Sequence, residues 1–203
     1  MITIIDYGAG NHISVQKILN KLGVENCVTD QREEIERATK LILPGVGHFA
    51  AAMQMLNSSD LIDVLNHKVL NERTPILGIC LGMQLMAKFS DEGKVSGLGW
   101  IDANCYRFDK TLSNLKIPHV GWNSLNVKKP SILTDSLNEN HRFYFTHSYY
   151  LSCNNPEDCL AETVYGNTIS SMIQKNNIYG TQFHPEKSHH DGFELLKRFA
   201  EFC

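Results

Sequence analysis

The sequence predicts an α/β fold with an open, mostly parallel central sheet flanked by helices and antiparallel strands added in the C-terminal half. Two observations carry this. In the first half, short and wholly apolar segments alternate with helical stripes, the pattern of parallel strands buried on both faces and joined by crossover helices. From Leu98 onward the pattern changes to short strands bounded by turn residues, which reads as antiparallel pairing.

Met1 to Asp6 is the first buried strand, ending in the turn Gly8-Ala9-Gly10-Asn11. Ile13 to Leu22 places apolar residues at 15, 18, 19 and 22, a helical stripe closed by Gly23. Glu25 to Val28 is a short strand and Glu33 to Ala38 a short polar helix. Leu41-Ile42-Leu43 is a buried strand running into Pro44-Gly45-Val46-Gly47, followed by helices over Phe49 to Leu56 and Leu61 to Leu70. Pro75 to Ile79 is another apolar strand, with a helix over Met83 to Phe89. The later strands are Cys105 to Phe108, Gly121 to Val127, Arg142 to Leu151, Ala161 to Tyr165, Ile169 to Gln174 and Ile178 to Phe183. Asn176-Asn177 reads as a hairpin turn, and a final amphipathic helix spans Gly192 to Phe202.

The 203 residues are 42% hydrophobic and 20% charged, enough apolar material for a sizeable core, and are read as one domain, 1–203. A net charge of -3 argues against a nucleic-acid binder relying on bulk positive charge. The most apolar stretch, Pro75 to Met83, is too short to span a membrane, and the N-terminus has no basic region or cleavage site. The expectation is a cytoplasmic protein with no nucleic-acid or membrane partner. Six cysteines, at 27, 80, 105, 153, 159 and 203, show no C-x-x-C spacing and are expected to be reduced, with no metal site.

One cysteine stands out. Gly78-Ile79-Cys80-Leu81-Gly82 follows a buried strand and precedes a helix, the context of a nucleophile elbow. There the nucleophile occupies a sharp turn that only flanking glycines can accommodate. A helix N-terminus favours a thiolate, and the N–H of Leu81 would point where an oxyanion forms. The plainer reading is one more buried cysteine in an apolar strand; the two glycines and the strand-to-helix switch weigh against it. In Phe183-His184-Pro185-Glu186, His184 and Glu186 are two apart in an extended segment and face the same side. A carboxylate beside an imidazole fixes its tautomer, so these residues with Cys80 form a Cys–His–Glu triad hypothesis. The turn Pro44-Gly45-Val46-Gly47 either supplies a backbone N–H to an oxyanion or is an ordinary strand-to-helix loop.

The elbow GICLGMQ, the segment FHPEKS and the PGVG turn together resemble the signature of class I (triad) glutamine amidotransferases. IDYGAGN, LILPGVG, GLGWI, IPHVGWNSL, FYFTHSYY and LLKRFAEF extend the resemblance, in order, over essentially the whole chain to the glutaminase subunits of imidazole glycerol phosphate synthases. That resemblance implies a flavodoxin-like sheet and no cofactor. It makes Cys80 the nucleophile, His184 the general base and acid, and Glu186 its orienter. Val46 and Leu81 become the oxyanion-hole amides. Gln84, Glu92 and the backbone of His147-Ser148-Tyr149 become the holders of the glutamine's amino-acid end. Asn11, Trp122 and Lys187 match positions that face the synthase partner. Residue by residue, Gln84 also reads as a solvated helix polar group, Trp122 as ordinary core and Lys187 as a surface charge.

The implied reaction is hydrolysis of glutamine to glutamate and ammonia through a thioester, with the ammonia passed to a docked (β/α)8-barrel cyclase. Some segments depart from that pattern. Gly10-Asn11-His12-Ile13, GLGWIDA (97–103), LIDVLNHKVL (61–70) and FHPEKSHH (183–190) look more like paralogues that feed ammonia to a sugar-amidating synthase of surface-polysaccharide biosynthesis. Two further classes, a cysteine hydrolase on a similar sheet and a non-catalytic adaptor, fit less well. The elbow glutamine and the H-P-E segment argue against the first, and the intact triad against the second.

Overall fold

The computed structural model describes residues 1–109, 111 and 115–203. The first half runs β1 (Ile2–Ile5), α1 (His12–Lys21), β2 (Asn26–Thr29), α2 (Arg32–Glu36), β3 (Lys40–Gly45), α3 (Phe49–Ser58), α4 (Ile62–Asn66, continued by a π-helical turn His67–Asn71), β4 (Ile76–Cys80) and α5 (Leu81–Leu85). The second half comprises β5 (Phe89–Ser90), β6 (Val95–Ser96), β7 (Ala103–Arg107), β8 (His119–Asn123), β9 (Asn126–Val127), β10 (Phe143–His147), β11 (Tyr149–Cys153), β12 (Cys159–Tyr165), β13 (Asn167–Lys175), β14 (Ile178–Thr181) and α6 (His189–Phe202).

Eight strands form the central sheet in the order β2-β1-β3-β4-β14-β13-β12-β9. The first five are mutually parallel, and β13, β12 and β9 extend the sheet antiparallel. Alternation along the strands divides the core into two layers. Ile4, Ile42, Leu77 and Ile79 pack with Val15 and Leu19 of α1 and Leu195, Leu196 and Phe199 of α6. Ile5, Leu41, Leu43 and Ile76 pack with residues of α3, α4 and α5. On α1 the buried residues are Val15, Ile18 and Leu19, the i, i+3, i+4 spacing of one helix face. Among the described residues no helix is long and apolar enough to cross a membrane.

The parallel sheet, its crossover helices and the Asn176-Asn177 hairpin follow the sequence reading. Five details differ. The strand expected over 121–127 is two, β8 and β9, which belong to different sheets. The helix expected over 83–89 starts immediately after Cys80 and ends near Leu85, because the chain at 98–101 occupies its last carbonyls: Leu98 N donates to Leu85 O, Ile101 N to Met86 O and Gly99 N to Ala87 O. Phe89 and Ser90 are then released to form β5. The strand expected over 142–151 is two strands that part at Ser148. β10 pairs with β8, and β11 joins the four-stranded sheet β11-β7-β5-β6, so these strands do not extend the central sheet. The last strand, read as one arm of a hairpin, also lies parallel to β4 and makes the fifth parallel strand. All six cysteines are free.

Candidate active site

Cys80 ends β4 at the C-terminal edge of the parallel strands, where open α/β sheets place their sites. Its backbone is at φ 54° and ψ -110°, outside the regions an L-residue favours. Such a conformation costs roughly 1–3 kcal/mol and persists only where the surroundings impose it. Here backbone contacts impose it. A Cβ on Gly82 would stand 1.8 Å from the Leu43 carbonyl oxygen, and one on Gly78 would stand 2.8 Å from the Met83 backbone. The G-x-C-x-G spacing is therefore what lets β3, β4 and α5 converge behind the thiol.

β14 runs beside β4 and delivers Gln182, His184 and Glu186 to the same edge. The His184 main chain is held on both sides: its N–H donates to Tyr144 O (2.9 Å), and its carbonyl accepts from Ser188 Oγ (2.6 Å) and Lys187 N (3.0 Å). Nδ1 of His184 lies 2.7 Å from Glu186 Oε1, with both side chains buried. That bond occupies Nδ1 and leaves Nε2 as the free ring nitrogen. Nε2 is buried and, among the described residues, has no hydrogen-bond partner, and the same holds for Glu186 Oε2. Burial opposes charge on His184, but the neighbouring Cys80 sulfur and then the Glu186 carboxylate outweigh it, and the imidazole is pushed up to about 10. Among the described residues Nε2 completes no hydrogen bond, so the influence of the Cys80 sulfur on it is electrostatic.

These groups open into a cavity of about 340 Å³ lined by Val46, Leu81, Gln84, Glu92, the Thr146–Tyr149 segment and Lys187 beside Cys80 and His184. Leu81 is the first residue of α5, so its N–H has no intrahelical acceptor. Val46 is 41% exposed, and Gly47 after it has φ 105°. Gly45 is a packing residue, because a Cβ there would meet Gly82 N at 2.6 Å; the conformational freedom of this turn lies at Gly47.

Gln84 is a buried network residue, not a solvated helix position: Nε2 donates to Tyr149 O at 2.8 Å and to Gln182 Oε1 at 2.9 Å. Glu92 carries a duty the sequence did not reveal, since its Oε2 accepts from Phe49 N (2.8 Å) at the start of α3. Ser148 and Tyr149 reach the cavity because β10 and β11 part there. Trp122 is 46% exposed and stacked on His189, with centroids 5.0 Å apart, so the reading as core is set aside. Asn11 precedes α1, just after Gly10, which packs against Pro44 next to the Val46 turn. Lys187 is exposed at the cavity rim.

Sequence reasoning did not single out Gln182, whose Nε2 lies 3.8 Å from Cys80 Sγ. Its position two residues before His184, on the same side of an extended segment, was the available signal. His119 was also missed, because its role depends on which strand pairs with β8.

A family model described as glutamine amidotransferase class-I matches residues 3–201. The imidazole glycerol phosphate synthase subunit HisH 2 of Methanococcus maripaludis is 49% identical over 201 residues, covering 99% of this chain and 99% of the relative. The subunit HisH 2 of Pseudomonas aeruginosa is 45% identical with 99% of each chain covered. A solved structure described as a glutamine amidotransferase superposes with a TM-score of 0.75 at 17% identity, covering 98% of this chain and 99% of the other. The structure of PurLQS from Thermotoga maritima gives 0.73 at 16%, with 98% and 96% covered. At such identities the structural likeness establishes the fold alone, while the family model and the relatives extend over nearly the full length. The chain belongs to the class-I glutamine amidotransferase family.

Proposed function

We propose that residues 1–203 act as one amidotransferase domain, the glutaminase subunit of an imidazole glycerol phosphate synthase, releasing ammonia from glutamine for a (β/α)8-barrel cyclase in histidine biosynthesis. The observation that carries the chemistry is the strained Cys80 beside a buried His184 whose Nδ1 is fixed by Glu186.

The Cys80 sulfur attacks the side-chain amide carbon of glutamine, and the carbonyl oxygen takes the negative charge. The N–H groups of Leu81 and Val46 are the donors to that oxyanion. His184 passes its proton to the leaving nitrogen, the C–N bond breaks, and ammonia departs from a γ-glutamyl thioester. His184 then takes a proton from water, whose oxygen attacks the thioester; the C–S bond breaks, glutamate forms and the thiol is restored. Gln84, Glu92, Ser148 and Tyr149 hold the amino-acid end of the substrate. In bulk water ammonia becomes protonated and loses its nucleophilicity, so a docked acceptor subunit is required. Asn11, Trp122 and Lys187 are the residues that would face that subunit in a heterodimer.

A second reading has a specific observation behind it. The relatives at 49% and 45% identity bear the number 2 in their names, which distinguishes one such subunit from another. A duplicated glutaminase can serve a different acceptor, here a sugar-amidating synthase, with the same triad. The test is glutamine-dependent turnover with each class of acceptor subunit. The leading reading requires cyclase product with the barrel partner, and its absence alongside an amidated sugar favours the second.

A further inference from the structure

His119 on β8 and His147 on β10 are cross-strand partners, and both are buried. Their protonation follows from one atom. His147 Nδ1 lies 2.8 Å from the carbonyl oxygen of Tyr149, which can only accept, so Nδ1 carries the hydrogen. In a neutral ring Nε2 is then an acceptor. It lies 3.0 Å from His119 Nδ1, which must donate. His119 Nε2 is in turn an acceptor and faces Asn123 Nδ2 at 3.4 Å. The order Asn123 to His119 to His147 to the Tyr149 carbonyl leaves each ring nitrogen with one role, and protonating either ring would set donor against donor. Burial agrees with this, holding His119 down to about 4 and His147 to about 3. The His119 ring is stacked on Phe145 (4.8 Å between centroids) and Tyr165 (3.9 Å), which fixes its plane.

The chain ends on a carbonyl that the site depends on. Tyr149 O also accepts from Gln84 Nε2. Two donors therefore set this peptide just where the chain leaves β10 and enters the cavity wall.

We propose that His119 and His147 are positioning residues for glutamine: the ordered pair fixes the Tyr149 carbonyl, and through it the Ser148–Tyr149 backbone and Gln84 amide that receive the substrate's amino-acid end. This rests on the glutaminase reading and deepens it. The pair acts through the peptide it holds, so its loss weakens substrate capture and leaves the attack by Cys80 largely intact.

The two isosteres of histidine separate this from a packing role. Asparagine at 147 places its amide nitrogen near the Nδ1 position and keeps the donor to Tyr149. Glutamine reaches toward the Nε2 position and loses it. The full chain would be titrated with a diazoketone analogue of glutamine, which alkylates Cys80 with loss of N2, and the half-saturating concentration read separately from the maximal labelling rate. His147→Gln should raise the half-saturating concentration about tenfold, with the maximal rate within about twofold, and His147→Asn should stay within about threefold of the unsubstituted chain. His119→Phe, which keeps the stacking and removes the donor, should fall between them and covers the case in which His147→Gln does not fold. Equal half-saturating concentrations for the Asn and Gln variants, or a loss confined to the maximal rate, overturn the proposal. Labelling that no His variant alters overturns it and leaves the glutaminase reading standing. No labelling of Cys80 in the unsubstituted chain overturns both.

Discussion

One wall of the cleft, the elbow from Gly78 to Gly82, is fixed by backbone contacts, whereas the facing wall of β8, β10 and the Ser148–Tyr149 step is fixed by side-chain hydrogen bonds. On the elbow side Cys80 is held by what is missing: two Cβ atoms that would collide with Leu43 and Met83. On the facing side the wall is held by what is present, an ordered row of hydrogen bonds from Asn123 to the Tyr149 carbonyl. A steric constraint tolerates no substitution and little motion. A hydrogen-bonded one can be loosened stepwise, which under the proposed function suits a wall that admits and releases glutamine.

The largest expected effect tests the elbow wall directly. Cys80→Ala should remove glutamine-dependent activity by roughly 10⁶-fold, while the acceptor subunit still turns over with added ammonium salts. Retained glutamine hydrolysis in this variant would show the nucleophile to be elsewhere. Gly82→Ala follows. Its Cβ cannot be accommodated 1.8 Å from a carbonyl oxygen, so α5 must shift away from β3. A loss of about 3–5 kcal/mol in urea unfolding is expected, and a loss below 1 kcal/mol would mean that the elbow is not sterically locked. Glu186→Gln keeps the shape but not the charge beside His184, and should cost roughly 10²–10⁴-fold in turnover with little change in stability.

This contrast also explains how much was legible in the sequence. The elbow was readable because its constraint is local: a strand, two glycines and a helix start within a few residues. The His184–Glu186 pair was readable for the same reason. Gln182, His119 and the strand break at Ser148 were not, because their roles come from contacts that no short segment contains. Gln182 meets Gln84 across 98 positions, and His119 meets His147 across 28. The early end of α5 was likewise hidden, since the donors that stop it arrive from the chain at 98–101.

The histidines give the two walls opposite pH signatures. His119 and His147 titrate in the folded chain at about 4 and 3 against 6.5 unfolded, so the unfolded state binds more protons between these limits. Their contribution is complete above 6.5 and is lost as the pH falls toward 3. His184 is raised, so its contribution is complete below 6.5 and is lost as the pH rises toward 10. Unfolding free energies measured across this range should flatten on the acid side in His119→Phe, by about 3 kcal/mol at most, and on the alkaline side in Cys80→Ala. An acid limb unchanged by His119→Phe would show that the facing wall is not held by a neutral pair.

The smallest effect concerns Gly47, where the elbow side retains some freedom. Its φ of 105° is one L-residues rarely adopt, and among the described residues beyond its chain neighbours no atom stands within 4 Å of a Cβ built there, so an added methyl group acts on the backbone alone. Gly47→Ala should bias the Val46–Gly47 turn while leaving Cys80, His184 and the core untouched. If the Val46 N–H is one of the two oxyanion donors, partner-stimulated glutamine hydrolysis should fall by about tenfold, less than the 10²–10³-fold expected for complete loss of a donor. The melting temperature should change by no more than a few degrees. Basal hydrolysis by the chain alone is the sharper readout. A turn that swings its N–H into the hole only when the partner docks predicts a low basal rate that Gly47→Ala barely alters, with the loss confined to the stimulated rate. Equal losses in both rates would mean that the Val46 donor is in place before docking, and that this wall is as rigid as the elbow behind it.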